Sequence, residues 1–221
     1  MVAIVGGTGR LGRGLAARWA QAGVPVLIGS RDPARAREAA RAAGLSEAAG
    51  ADNRAAAAAA DVVVLTVPFA AHRQTLLALA DVLAGKILLD TTVPLLDSRE
   101  LACPEAGSAA QDAQALVPAA RVVAGFHTVS AHLLADRRRP LRGDVLLCGD
   151  DPSAKEAVER LVRALGARPV DAGGLSAART LEMLALLLLN LNRRYRRRDL
   201  GVRIVGLEDA GERDVEGYVE G

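Results

Sequence analysis

The chain has 221 residues, of which 51% are hydrophobic and 24% are charged, and its formal net charge at pH 7 is +2. This length allows one large or two small domains with a buried core, and so small a net charge argues against nucleic-acid binding. The most apolar segment, Leu181 to Leu191, is well short of the roughly 20 residues of a membrane-spanning helix, so we expect no membrane insertion.

The first predicted unit along the chain is a strand, a glycine-rich turn and a helix. The apolar run Val2 to Val5 leads into Gly7, Gly9 and Gly12, which have the G-x-G-x-x-G spacing. Glycines so spaced permit a tight turn, a close approach of the backbone to a pyrophosphate, and close packing of helix on strand. A second apolar strand, Val24 to Ile28, follows the helix. The pattern predicts a dinucleotide site at the first N–H groups of the helix, with a glycine turn kept only for packing as the alternative.

The residues after the second strand indicate NADP(H) rather than NAD(H). NAD sites usually place Asp or Glu there, whereas this chain has Ser30 and Arg31, a short donor and a planar fork suited to a phosphate dianion. Arg35 lies one turn along the next predicted helix. Asp32 could be taken for the missing acid, but together with Pro33 it fits a helix N-cap with proline at the first helical position. The alternative for Arg31 is a solvated surface charge.

The rest of the chain continues as alternating strands and helices. The predicted strands are Val62 to Val67, Lys86 to Asp90, Arg121 to Phe126, Val145 to Cys148 and Arg168 to Asp171, with a weak candidate at Ala48 to Ala51. This alternation predicts an α/β fold with a Rossmann-type, doubly wound, mostly parallel sheet, extended by a small C-terminal α/β portion. We expect residues 1–128 to form the dinucleotide-binding core, residues 129–207 a C-terminal extension of the same compact domain, and residues 208–221 a loosely ordered tail.

Three predicted strands end in residues suited to a ligand site. They are followed by Thr66-Val67-Pro68, Thr91-Thr92-Val93-Pro94 and His127-Thr128-Val129, which should meet at the carboxyl edge of the sheet. His127 is the histidine that we expect in the site, with a structural role beside a backbone carbonyl as the alternative. We expect His72 and His132 to be ordinary surface histidines. The alternative for the two threonines after the second of these strands is a role only as caps of the following turn.

Motifs along nearly the whole chain resemble those of one known family. They are Gly6-Gly7-Thr8-Gly9, Leu11-Gly12, Gly14-Leu15-Ala16, Gly29-Ser30-Arg31, Thr66-Val67-Pro68, His127-Thr128, Cys148-Gly149-Asp150-Asp151, Asp171-Ala172-Gly173 and the segment Leu200 to Leu207. In these motifs the chain is similar to the NADPH-dependent F420 reductases, also called F420H2:NADP oxidoreductases. The resemblance implies reversible hydride transfer between C4 of the nicotinamide of NADP(H) and C5 of coenzyme F420, an 8-hydroxy-5-deazaflavin.

The resemblance also implies a role for each matching residue. The pyrophosphate would be held by Gly6, Gly7, Thr8, Gly9, Arg10, Leu11 and Gly12, the 2′-phosphate by Ser30, Arg31 and Arg35, the nicotinamide by Thr66, Val67, Pro68 and Phe69, and the deazaflavin by His127, Thr128 and Val129. Thr92 is a further predicted cofactor-binding residue. Among them His127, Thr66 and Pro68 are the predicted catalytic residues, and no metal is expected. Direct hydride transfer between two stacked rings needs position and exclusion of water rather than a catalytic base.

Departures from the family pattern leave two alternatives open. Phe69 stands where the family often has tryptophan, and Ala70 to Arg73 differs from the expected polar pattern. A soluble NADPH-dependent flavin reductase is one alternative, because a related domain occurs fused to membrane ferric reductases. The other is a non-catalytic NADP(H)-binding sensor, which would lack the pocket for the second ring. An apo structure with the space between Thr66, Thr91 and His127 filled by side chains would favour the sensor.

Two other reductase classes fit the sequence less well. A short-chain dehydrogenase needs a Tyr-x-x-x-Lys pair to relay a proton, but Asp199 stands four residues after Tyr195, and the chain ends three residues after Tyr218. Pyrroline-carboxylate and imine reductases share this kind of N-terminal half, but we would expect them to add a longer helical dimerisation domain.

The remaining features concern partners and location. The leucines of the last helix are too dense for one face, so this helix is either deeply buried or shared with a second subunit, and we expect a homodimer through it. Cys103 and Cys148 form no C-x-x-C pattern and fit thiols in a reducing cytoplasm, and no export is expected. The arginine cluster at positions 193, 194 and 196–198 is either a solvated face or an attraction for the anionic phosphate and glutamyl tail of the deazaflavin.

Overall fold

A computed structural model describes residues 1–96 and 100–207, and the strands within these ranges form one eight-stranded sheet. The strands are β1 Val2–Val5, β2 Val26–Ser30, β3 Gly50–Asp52, β4 Val62–Leu65, β5 Ile87–Asp90, β6 Arg121–Gly125, β7 Asp144–Gly149 and β8 Arg168–Asp171. Their order in the sheet is β3-β2-β1-β4-β5-β6-β7-β8. Neighbouring strands pair in parallel except β6 and β7, which are antiparallel. The predicted mostly parallel sheet is confirmed.

Helices cover both faces of this sheet. They are α1 Arg10–Gln21, α2 Pro33–Ala42, α3 Asn53–Ala58, α4 Phe69–Leu83, α5 Ala109–Leu116, α6 Ala131–Ala135, α7 Pro152–Ala164 and α8 Ala178–Arg194, with single 3-10 turns at Glu47–Ala49 and Leu175–Ala177. The apolar side chains of α1, α2 and α7 form one core cluster, and those of α4, α5 and α8 form another. The predicted doubly wound architecture is therefore confirmed. No helix in the described ranges has the length and apolarity needed to cross a bilayer.

Two helices begin at aspartate–proline pairs, as the sequence predicts. Asp32 Oδ1 accepts a hydrogen bond from Ala34 N at 2.9 Å, and Asp151 Oδ1 accepts one from Ala154 N at 2.8 Å. The proline after each aspartate occupies the first helical position, where an N–H group has no intrahelical partner. Both predicted N-caps are confirmed, and Asp32 is engaged in its own helix.

Most differences between predicted and observed elements lie at their ends. β2 begins at Val26 rather than Val24, because Val26 is the residue that pairs with Val2 in the register of the sheet. β4 stops at Leu65 and β6 stops at Gly125, each slightly before the predicted end. The polar residues that follow these strands therefore leave the sheet at its carboxyl edge, where the site is formed.

Other differences concern whole elements. The weak candidate strand at Ala48 to Ala51 is a 3-10 turn followed by β3, and the five-residue helix α6 lacks a predicted counterpart. The prediction of a loosely ordered tail, residues 208–221, falls outside the described residues.

Candidate functional site

The glycine turn joins β1 to α1 and lets the helix pack directly on two strands. Gly6 has a φ of +72°, the left-handed region that glycine adopts without strain. A Cβ atom at Gly12 would lie 2.6 Å from Gly7 Cα and 2.9 Å from Thr66 Oγ1, so any side chain there would push α1 away from the sheet. Gly9 is the N-cap of α1 and makes no side-chain cap hydrogen bond. The first N–H groups of the helix thus remain available to an anionic group.

Asn53, a residue that no sequence motif indicates, supports this turn from the start of α3. Its Oδ1 accepts a hydrogen bond from the backbone N of Gly6 at 3.1 Å. A Cβ atom at Gly29 would lie 2.9 Å from the same oxygen, so Asn53 packs closely over the end of β2. Asn53 is the first residue of α3, directly after β3, and its position at a strand end is the signal that could have identified it.

The end of β2 carries the residues predicted to select the 2′-phosphate. Ser30 is buried, and its Oγ accepts a hydrogen bond from the backbone N of Asp32 at 3.2 Å. Arg31 and Arg35 are exposed, and neither forms an ion pair within the described part of the chain. Two unpaired guanidinium groups beside a buried hydroxyl provide the donors that a phosphate dianion needs.

Threonine hydroxyls fix the ends of β4 and β5. Thr66 Oγ1 donates to Val5 O at 2.9 Å, and Thr91 Oγ1 donates to Leu65 O at 2.7 Å. Each threonine hydroxyl therefore donates its hydrogen bond to the adjacent strand, so its proton is not available to a ligand. Pro68 is exposed at the start of α4, and Phe69 is half-buried at its first residue.

A buried ion pair lies beneath these strand ends, and it corrects one prediction. His72 Nε2 lies 2.7 Å from Asp90 Oδ2, and their side chains are 2% and 0% exposed, so His72 is not a surface histidine. Burial lowers the pKa of His72, but the hydrogen bond to Asp90 and its charge outweigh burial and leave the pKa raised. Burial raises the pKa of Asp90, but His72 outweighs burial and leaves it lowered. Asp90 Oδ1 also accepts a hydrogen bond from Thr92 N at 2.9 Å, so the pair holds the turn after β5.

His127 follows β6 through a strained residue. Phe126 has a φ of +66°, which is unfavourable for a residue with a side chain, and its buried ring lies edge-on to Trp19 with 6.0 Å between centroids. His127 is 9% exposed, yet in the described part of the chain neither of its ring nitrogens has a partner at good hydrogen-bond geometry, and the buried Thr92 Oγ1 has none either. Unpartnered buried polar atoms are rare unless they serve a ligand.

Burial also determines the charge of His127. Loss of solvation lowers the pKa of its imidazole to about 4, and the nearby Asp90 charge opposes this only in part. His127 is therefore neutral near pH 7, with one N–H donor and one lone pair. The Thr92 backbone also raises the pKa of His127 slightly, so a backbone group lies close to the ring although no hydrogen bond of good geometry forms, and the structural role stays an alternative.

Thr91, Phe126 and His127 border a cavity of about 700 Å³, whereas residues 66–69 and Thr92 are not in its lining. Arg10 and Leu11 of the glycine turn form one side of it, Thr91 and the segment 126–130 form the floor, and apolar side chains of α8 form the opposite wall. The wall contains Ala185, Leu188 and Leu189. Such a wall suits a flat aromatic ring. Because Thr91 and His127 both line the cavity, the space between them is open rather than filled by side chains. A separate cavity of about 590 Å³ on the far side of Ser130 has no lining residue in the glycine turn.

The predicted site residues thus lie along one edge of the sheet in the order of its strands. The phosphate-selecting residues follow β2, the glycine turn follows β1, residues 66–69 follow β4, Thr92 follows β5 and residues 127–129 follow β6. Such an arrangement can hold an extended dinucleotide and bring its far end to the cavity. The sheet edge would position the dinucleotide, and α8 provides an apolar wall beside it. The histidine of this site, His127, is neutral and is therefore not a charged acid or base.

Known proteins match this chain in sequence over most of its length. A family model described as "NADP oxidoreductase coenzyme F420-dependent" matches residues 1–94. The F420-dependent NADP reductase of Methanothermobacter thermautotrophicus (strain Delta H) is 41% identical over 224 residues, which cover 94% of this chain and 96% of that protein. The protein of the same description from Methanocaldococcus jannaschii is 36% identical over 221 residues, which cover 94% of this chain and 99% of the relative.

A solved structure agrees with these sequence matches. It comes from Arthrobacter sp. FB24 and is provisionally described as an F420-dependent NADP-reductase. It superimposes with a TM-score of 0.81 at 30% identity, covering 92% of this chain and 98% of the other.

Proposed function

Because the chain belongs to the family of F420-dependent NADP reductases, it is an oxidoreductase that transfers a hydride between NADP(H) and coenzyme F420, and we propose that the cavity beside α8 is where this transfer takes place. One observation carries this location. His127 lines the cavity and is almost fully buried, yet neither ring nitrogen has a partner at good hydrogen-bond geometry among residues 1–96 and 100–207.

In this proposal the edge of the sheet holds NADP(H). The turn from Gly6 to Gly12 binds the pyrophosphate, and the space that a Cβ atom would take at Gly12 explains why this turn needs glycine. Ser30, Arg31 and Arg35 bind the 2′-phosphate, in line with their exposure and the absence of ion pairs at both arginines within the described ranges. Residues 1–128 accordingly provide the NADP(H) half of one compact domain, and residues 129–207 provide the wall for the second ring.

The nicotinamide lies at residues 66–69 and Thr92, and the deazaflavin lies against residues 127–129. NADPH gives a hydride from C4, and the deazaflavin takes it at C5 together with one proton; the reverse reaction returns both. Thr66 and Pro68 set the position of the first ring, and the apolar wall of α8 excludes water from the second. A neutral His127 offers a donor and an acceptor to a ring edge, whereas a cation there would oppose formation of the positively charged oxidised nicotinamide.

We further propose that the protein is a cytoplasmic homodimer. Met183 and Leu187 are 58% and 51% exposed, lie one turn apart on α8 and form an apolar face that a second copy of the same helix would cover. Both cysteines are free thiols, which is consistent with a reducing compartment.

The alternative functions differ in what the cavity must do. Thr91 and His127 line an open cavity, although Thr66 does not, so the observation that would have favoured the non-catalytic sensor is missing at two of its three residues. A flavin reductase would use the same wall of α8 and is distinguished by the acceptor.

The test is anaerobic mixing of the purified protein with NADPH and F420, following the absorbance of the deazaflavin, with FAD and FMN in parallel. We expect bleaching of F420 and none of either flavin. Reduction of flavins alone would replace the proposal with a flavin reductase, and tight NADPH binding with no acceptor reduced would replace it with the sensor.

A further inference from the structure

We propose that Arg193 and Arg198, at the end of α8, bind the anionic phosphate and glutamyl tail of the deazaflavin, so that the protein selects the tailed coenzyme over a tail-free deazaflavin. This inference rests on the proposed function, because it concerns the second substrate of the same cavity.

The structure divides the arginine cluster of the sequence into two groups. Arg193, Arg197 and Arg198 line the cavity of about 700 Å³, whereas Arg194 and Arg196 do not. All five side chains are exposed. The cluster is therefore not a uniform solvated face, since part of it borders the cavity that contains the strand ends.

The charges of the lining arginines are not equally available. Arg197 Nη2 lies 3.1 Å from Asp199 Oδ1, so its charge is largely compensated. Arg193 and Arg198 form no ion pair within residues 1–96 and 100–207, nor does Arg10 on the opposite side of the cavity. The described lining of this cavity contains no Asp or Glu. An anion entering the cavity thus meets uncompensated positive charge from two directions.

The backbone that carries these arginines is held in place. Ser130 Oγ donates to Arg198 O at 2.6 Å, which ties the segment to the loop after His127. Arg197 N donates to Asn192 O at 2.7 Å, which closes the turn at the end of α8. The positions of Arg193 and Arg198 relative to the strand ends are therefore set by the fold rather than by a free terminus.

The ligand chemistry follows from how charge and apolar surface are distributed around one cavity. The wall of Ala185, Leu188 and Leu189 suits an uncharged ring system, and the arginines lie just beyond it along the same helix. A ligand that fits this cavity has a flat ring to pack on the apolar wall and a side arm with a phosphate and several carboxylates. The arginines would form charge-assisted hydrogen bonds with the anionic groups of that arm. Arg10 belongs to the glycine turn and can serve the pyrophosphate, so Arg193 and Arg198 are the residues that distinguish the tail.

The experiment compares two double variants that remove the same charge from the same segment. R193Q/R198Q removes the lining arginines, and R194Q/R196Q is the matched control. For each protein kcat/KM is measured with F420 and with the deazaflavin lacking phosphate and glutamates, at saturating NADPH and at low and high salt. We expect the ratio of kcat/KM for F420 to that for the tail-free compound to fall about 10- to 100-fold in R193Q/R198Q, and less than about twofold in the control. The salt dependence with F420 should weaken only in R193Q/R198Q.

An unchanged ratio in R193Q/R198Q, or the same loss in the control, would overturn the tail site. So would a wild-type protein that reduces both deazaflavins equally well at every salt concentration, and in that case the proposed function would stand. If the wild-type protein reduces neither compound with NADPH, the proposed function fails and this inference fails with it.

Discussion

Arg31 is the residue on which the choice between NADP(H) and NAD(H) rests in the proposed site. Its guanidinium is exposed and, within the described residues, free of ion pairs, so a phosphate would be its partner. We predict that Arg31→Ala weakens NADPH binding by about ten- to a hundredfold, since a charge-assisted hydrogen bond is worth roughly 1.5–3 kcal/mol. NADH binding should change little. Titration of both cofactors by calorimetry measures the two Kd values.

The matched control for this prediction is Arg37→Ala, which removes another exposed arginine from α2. It should leave both Kd values within about twofold. Equal losses of NADPH and NADH affinity in Arg31→Ala would show that Arg31 does not read the 2′-phosphate.

Individual residues could be predicted from the sequence where the signal is local. Asp32 as an N-cap needs only its own helix, and the prediction is confirmed. His72 was assigned wrongly to the surface, because its burial depends on Asp90, a residue on a different element. The positive φ of Phe126 could not be predicted either, since the ring is held there by contact with Trp19 across the core.

At the level of elements, the pair of His72 and Asp90 joins α4 to the end of β5. We predict that His72→Gln, which keeps a donor but loses the charge, lowers the free energy of unfolding by about 2 kcal/mol near pH 6, as for a hydrogen bond to a charged group. Because the folded-state pKa of His72 is raised, the contribution of this pair is complete below the ordinary value of 6.5 and is lost as pH rises through the folded value. The pKa of Asp90 is lowered from its ordinary 3.8, so its carboxylate stays ionised while His72 is protonated. Urea unfolding from pH 4 to 9 measures the effect.

Glu182 provides the control for this pH dependence. It is fully buried, its pKa is raised to about 7 by burial, and it therefore also lowers stability as pH rises above its ordinary value. Glu182→Gln should remove that part and retain most of the difference between wild type and His72→Gln, because Asp90 raises the pKa of His72 more than Glu182 does. Stability curves of wild type and His72→Gln that run parallel over the whole pH range would contradict the prediction.

Elements were predictable where periodicity and caps agree, and less so where distant contacts decide. The continuous apolar runs of β4 and β5 predict buried strands but not their direction, so the antiparallel pairing of β7 with β6 could not be derived. Helix α6 is too short to show a periodic pattern. It is held in part by the buried Arg18, whose guanidinium donates to the carbonyl oxygens of Leu133 and Leu134 at 2.8 and 2.9 Å.

For the molecule as a whole, the exposed face of α8 bears on the oligomeric state. We predict that Leu187→Glu converts the proposed homodimer to a monomer, because a charge would be buried at the centre of an apolar contact. Sedimentation equilibrium of the wild type and the variant at several concentrations measures the mass in solution.

Gln21→Glu is the control, since it adds the same charge at an exposed position on α1, which packs on the other face of the sheet. It should leave the dimer intact. A wild-type protein that is monomeric at all concentrations would remove the homodimer from the proposal without affecting the reaction.

The architecture of the whole chain was the most predictable level. Alternating strands and helices predict the doubly wound sheet, and the glycine turn, Ser30 and Arg31 indicate where one nucleotide lies. The closing of the cavity by α8 could not be derived, because leucines at nearly every position do not show which of them turn inward. The structure resolves this: Leu188 lines the cavity, whereas Leu187 is exposed.

The position of Trp19 gives the protein a built-in optical probe. It is the single tryptophan of the chain, is fully buried, and donates its indole N–H to Leu161 O at 2.9 Å. Its ring contacts the ring of Phe126, which precedes His127 in the chain and lines the cavity. The emission of a buried indole overlaps the absorption of reduced nicotinamide, so NADPH can quench it by energy transfer while NADP⁺ cannot. Cofactor occupancy, redox state and unfolding can thus be followed by fluorescence in one unlabelled sample.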